Sequence, residues 1–209
     1  MGGSPTRLAS GITEAVVDTF QGTAGTLLTA AHSGQITGAT WTRHTVFGGA
    51  QSSIITAGGL LRCNESSANE YAYASGTPGS ANYTVSAIVT VKSLPGVFVG
   101  GVCGRLATAA KTCYQADYNT STGKWELNGY VAGTENLLGS VAQVLTGAAS
   151  YALALVMNGT TISVMVDGAT IISVTDSTVT TAGTAGVMFY TTSGNSDSSG
   201  LQLSNFIAG

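Results

Sequence analysis

Charge is the scarcest property of this chain. Asp, Glu, Lys and Arg make up 8% of its 209 residues, against about 25% in an average soluble domain. The seven basic residues (Arg7, Arg43, Arg62, Lys92, Arg105, Lys111 and Lys124) are scattered, without a basic run. That removes the electrostatic footprint of a nucleic-acid binder and the basic segment of a membrane-surface protein, so neither partner is expected. Cysteine is also sparse. Cys63, Cys103 and Cys113 form an odd set with no C-x-x-C pair, which leaves no disulfide framework and no thiolate zinc motif. Cys103 and Cys113 either pair across neighbouring strands or stay, with Cys63, as buried thiols in a reducing compartment. His32 and His44 lie twelve residues apart without a second pair of ligands. A metal centre needs three or four converging groups, so both are read as surface or loop residues, and no metal or other cofactor is expected. Long apolar runs are missing as well. Leu27–Ala31 and Ala148–Met157 fall far short of the roughly 20 residues that span a bilayer, and the N-terminus lacks the apolar core of a secretory leader. The expectation is a soluble chain made in a cytoplasm.

What the chain has instead is Gly, Ser, Thr and Ala between short alternating runs. Tyr83 to Val91 is the clearest: Tyr83, Val85, Ala87, Val89 and Val91 point one way and the intervening residues the other, the pattern of a half-buried antiparallel strand. In the last third, Tyr151–Met157, Thr160–Val166 and Ala169–Val174 are separated by Asn158-Gly159 and Asp167-Gly168. These are strong signals for tight type I′ hairpin turns and predict a three-stranded meander. Further runs include Gly25–Ala31 as a first strand, Trp41–Phe47, Val97–Leu106, Lys111–Asn119 and Lys124–Val131 joined at Ser121-Thr122-Gly123, Gly183–Tyr190 and Leu201–Ala208. Thr134–Val144 reads as a connection with a short strand or turn. About a dozen strands at this spacing predict an all-β fold, a two-sheet antiparallel β-sandwich. Residues 1–16 are small, polar and without alternation, and read as an extended arm preceding one domain, 17–209.

Candidate chemistry is thin. Asp117 stands alone in QADYN and Glu126 alone on its strand, while Glu65 and Glu70 fall in a loop-like stretch. No G-x-S-x-G elbow marks a nucleophile. Asp176, Asn195 and Asp197 carry oxygens that a cation would use, but without a clustered run. Tyr114 and Tyr118 share a strand face by their even spacing, and Trp125 lies on the next strand. They are either sheet-packing residues or the platform of a shallow glycan site.

Gly104-Arg105, Trp125, Asn158-Gly159, Val166-Asp167-Gly168 and Gly183–Val187 together make the stretch from Tyr83 to Ala208 resemble the concanavalin A-like (laminin-G-like) jelly roll. That resemblance implies an exposed Gly-Arg near a strand end, and a fold that hosts lectins, glycanases and structural modules alike. Its glucanases carry their carboxylates on one strand, as E-x-D-x-x-E or similar; no such cluster occurs here, so no enzyme activity is expected. A second resemblance concerns the arm. Thr6-Arg7-Leu8-Ala9-Ser10-Gly11-Ile12-Thr13 is similar to the start of tailed-phage virion proteins. It implies a structural virion protein, foremost a decoration or cement protein on the phage head surface, made in the bacterial host cytoplasm. Pro5, Thr6, Arg7, Leu8, Gly11, Ile12 and Thr13 would then anchor it to the major capsid protein, with copies of itself in a dimer or trimer. The alternative is a carbohydrate-binding, lectin-like module for host glycans, using Tyr114, Tyr118 and Trp125.

Overall fold

Period-two patterning and tight turns leave this chain little choice but stacked sheets. The computed structural model describes residues 16–31, 40–47, 53–64, 68–74, 76 and 78–209. The predicted anchoring residues Pro5 to Thr13 lie outside the described residues, as does His32. In chain order the strands are β1 (Val16–Asp18), β2 (Trp41–Arg43), β3 (Ile54–Ile55), β4 (Leu61–Arg62), β5 (Ala68–Ala74), β6 (Tyr83–Val91), β7 (Phe98–Leu106), β8 (Cys113–Asn119), β9 (Lys124–Val131), β10 (Thr134–Ala142), β11 (Ser150–Asn158), β12 (Thr161–Val166), β13 (Ala169–Thr175), β14 (Thr184–Thr191) and β15 (Leu201–Ala208). One helical turn, α1 (Leu28–Ala31), lies between β1 and β2. Among the described residues the strands form two antiparallel sheets. An eight-stranded sheet runs β13-β12-β11-β6-β15-β4-β3 with β1 also on β15, and a seven-stranded sheet runs β10-β9-β8-β7-β14-β5-β2. This is a two-sheet β-sandwich, a concanavalin A-like jelly roll.

The core lies between the sheets. On β6 every second residue is buried, as its alternation predicts. Opposite it, β8 and β9 send Tyr114, Ala116, Tyr118, Trp125 and Leu127 inward. Trp125 meets Tyr118 edge-on at 5.0 Å, and its Nε1 donates to Gln143 Oε1 at 2.7 Å. At the other end, Asp18 fixes Trp41 by accepting its Nε1–H at 2.6 Å. The burial of an apolar side chain stabilises by roughly 1.5–3 kcal/mol, so one strong inward face per strand is enough to set each register.

Several local expectations change. The meander forms, but its two turns differ. Asp167 and Gly168 both have positive φ, +50° and +81°, as a type I′ turn requires. At the other turn Asn158 pairs with Thr161, so the central residues are Gly159 and Thr160, and only Gly159 has positive φ. That is the II′ pattern, with Asn158 kept in the strand. Gly25–Ala31 is no strand: Leu27 makes a single bridge to Ile54, and the chain then coils through α1 to bury Leu28. Thr134–Ala142 is a full edge strand, entered through an Ala132-Gly133 turn with positive φ at both residues. The Trp41–Phe47 run is a strand only over its first three residues. Trp41 enters the core, and Phe47 crosses to the outer side of the seven-stranded sheet.

Candidate functional site: a polar cleft on the seven-stranded sheet

The outward faces of β8 and β9 carry the residues that the inward apolar alternation leaves over: Cys113, Gln115, Asp117 and Asn119 on one, Glu126, Asn128 and Tyr130 on the other. The β8–β9 hairpin sets them opposite one another, pairing Gln115 with Asn128, Asp117 with Glu126 and Cys113 with Tyr130. Directly opposed residues on one face have Cβ atoms about 5 Å apart. On the other flank of β8, β7 offers no side chain at Gly101. A Cβ there would fall 2.1 Å from the Ala116 carbonyl oxygen and 2.7 Å from Asp117 Cβ. The glycine thus lets β7 close against Asp117.

The polar groups of this face hold one another. Tyr71 OH donates to Gln115 Oε1 at 2.6 Å, and Gln115 Nε2 donates to Asp117 Oδ2 at 2.6 Å. Asn128 Nδ2 reaches the same oxygen at 3.5 Å. Glu126 accepts from Asn119 Nδ2 at 3.2 Å and from Thr122 Oγ1 at 2.7 Å. Asp117 Oδ1 is buried and has no hydrogen-bond partner. Burial, the largest cause, drives the Asp117 carboxyl up to about 7; the Gln115 and Asn128 amides pull it down, while the facing Glu126 and then Glu135 raise it further.

An aromatic cluster bounds the same face. Phe47 stacks on Tyr71 with ring centres 4.5 Å apart and meets Tyr130 edge-on at 5.2 Å. His44 locks the segment that delivers Phe47. Its Nδ1 accepts from the Phe47 amide at 3.0 Å, which makes Nε2 the donor to the Ala107 carbonyl at 2.7 Å. Cys103 and Cys113 lie buried in this cluster as free thiols, and burial raises the Cys103 thiol well above its ordinary value. The resulting cleft has a volume of about 680 Å³. Tyr130, Tyr190 and Met188 supply apolar surface in it, while Asp117, Glu126 and Asn128 supply polar groups.

The structure corrects the predicted glycan residues. Tyr114, Tyr118 and Trp125 are all buried between the sheets, because they occupy the inward half of the alternation. A ring without an exposed face cannot serve as a platform. Asp117 and Glu126, read as isolated, are register partners, since the intervening turn folds them together. Arg105 is not exposed. It is 2% accessible and donates to the carbonyls of Ala81 (2.9 Å), Val179 (2.6 Å) and Gly159 (2.8 Å), so it ties three loops together. His44 is fully buried rather than a surface residue. The Asp176 carboxylate is used by Thr178 and Tyr114, and that of Asp197 by Arg62 and the Ala57 amide. Among the described residues no group of three or more His, Cys, Asp or Glu converges as metal ligands do. The signal for the cleft was present in the sequence: the half of CYQADYN and of KWELNGYV that does not face the core is almost entirely polar.

No protein-family model matches the chain, and no curated protein matches it. Solved structures do match. The fold aligns with the carbohydrate-binding module CBM66 from Bacillus subtilis at 17% identity, over 79% of this chain and 91% of that one, with a TM-score of 0.60. It aligns with a protein described among endo-acting O-glycanases of the human gut microbiota at 9% identity, 94% and 98% coverage and a TM-score of 0.61. It also aligns with the CBM2 module of the evolved Dit of Lactobacillus casei BL23 phage J-1 at 13% identity, 94% and 96% coverage and a TM-score of 0.51. At these identities the likeness establishes the jelly-roll sandwich.

Proposed function

We propose that the chain is a carbohydrate-binding module and that its site is the cleft on the outer face of the seven-stranded sheet. The composition of the cleft carries this reading: ring surfaces of Tyr130 and Tyr190 stand beside amides and carboxylates that fix one another in place. A sugar presents an apolar C–H face and a set of hydroxyls. Such a ligand is held by aromatic surface plus a few pre-placed polar groups, and groups ordered before binding lose little further entropy. The likeness in fold to CBM66 and to the phage J-1 module supports it. In this reading the site binds without cleaving, with Glu126 held by neighbouring donors on both of its oxygens. A glycan array tests the reading, followed by incubation of each hit and assay for released reducing ends. Binding without release is expected, weakened by Tyr190→Ala and Asn128→Ala and kept by Trp125→Phe. Retention of binding in both cleft variants would move the site elsewhere.

A second reading carries the same module on a tailed-phage particle. It is supported by the arm sequence Thr6–Thr13 and by the fold of the phage J-1 module. In its stronger form the arm anchors to a major capsid protein and the chain decorates the head as a dimer or trimer. Cosedimentation of full-length and arm-deleted chains with phage heads lacking their own decoration tests it. Saturable, arm-dependent binding is expected; no binding by either form ends the capsid form.

A further inference from the structure

We infer that the cleft is built for a sugar bearing a free amine, with the ammonium group seated at the opposed carboxylates Asp117 and Glu126. This rests on the carbohydrate-binding reading and names the ligand class of that site.

Donors and acceptors at this face do not balance. The donors that face the two carboxylates are already committed: Gln115 Nε2 and Asn128 Nδ2 to Asp117 Oδ2, and Asn119 Nδ2 and Thr122 Oγ1 to Glu126. Tyr71 OH is spent on Gln115 Oε1. Even so, Asp117 Oδ1 is left buried without a partner at the cleft. A buried acceptor with no donor is costly, and whenever Asp117 ionises its charge directly faces that of Glu126 across the strand pair. A ligand that supplies donors there relieves the first cost, and one that also supplies positive charge relieves both. A hydroxyl does only the first. A primary ammonium brings three N–H donors and a compact charge. Glu135, also lining the cleft, adds to its negative field, and among the described residues Lys111 is the one basic residue of its lining. An acidic sugar would therefore meet repulsion. A bare metal ion is a poor occupant, because two carboxylates fall short of the ligand set that a dehydrated divalent cation needs.

The test is calorimetric titration of the full chain at pH 7 with three tetramers matched in linkage: β-1,4-glucosamine, its N-acetylated form and β-1,4-glucose. The glucosamine form is expected to bind about tenfold or more tightly than the other two, as suits one desolvated charge-assisted contact. Asp117→Asn and Glu126→Gln should each bring the three ligands to within about threefold. Glu135→Gln, at the exposed rim, should leave most of the preference and so separates a seated ammonium from general attraction to an acidic surface. The wild-type comparison stands even if a variant fails to fold. Equal or tighter binding of the N-acetylated or glucose form overturns the inference and leaves the carbohydrate-binding reading intact. A preference lost with Glu135→Gln but kept in the two central variants also overturns it. Failure of every glycan, on the array and in titration, removes the reading on which it rests.

Discussion

Replacing Asp117 by Asn should make the protein more stable at alkaline pH and leave it nearly unchanged in acid. Burial holds the Asp117 carboxyl at about 7 in the folded chain, against 3.8 for the free group. The folded state therefore keeps a proton that the unfolded state gives up. Between pH 3.8 and about 7 the unfolded chain binds fewer protons, so stability falls as pH rises across that window and levels off above it. Below it both states are protonated and the penalty is absent. The separation is roughly three pH units, and at about 1.4 kcal/mol per unit the cost at pH 8 is bounded at about 4 kcal/mol. Water in the open cleft lowers this, so about 1–3 kcal/mol is expected. Asn has the shape of a protonated Asp. Its carbonyl can accept from Gln115 and Asn128, and its amide can point where Oδ1 now lacks a partner. Urea unfolding at pH 4, 6 and 8, followed through the buried Trp41 and Trp125, measures the difference between variant and wild type, in which all other titrations cancel. The variant should be within about 0.5 kcal/mol of wild type at pH 4 and more stable by about 1–3 kcal/mol at pH 8. A difference that does not grow with pH refutes the reasoning.

Other perturbations address the frame around the cleft. Arg105→Lys keeps the charge but cannot span the three carbonyls, and at roughly 1.5–3 kcal/mol per charged hydrogen bond it should cost about 3–5 kcal/mol in urea unfolding. Gly101→Ala drives a methyl group into the backbone of β8, and a loss of about 3 kcal/mol or more is expected, seen as a lowered thermal midpoint together with lost glycan binding. Trp125→Phe removes the bond to Gln143 and leaves a void, so about 2 kcal/mol of stability should go while glycan affinity, read by titration, stays the same. Gly168→Ala forces a side chain to φ +81° and should cost about 1–2 kcal/mol, without effect on binding, because the turn lies in the other sheet.

The fold was legible wherever one strand face is apolar and the turn residues are diagnostic. Period-two alternation identified β6, β8, β9 and the meander, and Asp167-Gly168 fixed its turn without help from the rest of the chain. Legibility failed where local chemistry is permissive. Leu27–Ala31 has the composition of a strand or a helical turn, and only its contact with Ser53 and Ile54 decides between them. Ala132-Gly133 is a weak turn signal, so Thr134–Val144 read only as a connection with a short strand or turn, and β9 decides that it is a full edge strand.

The candidate site divides in the same way. The sequence by itself determined that β8 and β9 each have one apolar and one polar face, because alternation is a property of the extended backbone. It did not determine which face looks inward at the aromatic positions, and Tyr114, Tyr118 and Trp125 suit a core as well as a platform. Tertiary structure decided that, by burying the larger rings where a second sheet covers them. It also decided the chemistry. Asp117 and Glu126 are isolated in sequence and opposed in space, since register is set by the whole hairpin. The strain that makes them interesting, a carboxyl held near 7 beside another carboxylate, exists only once β8 pairs with β9 and β7 closes against Asp117 at Gly101.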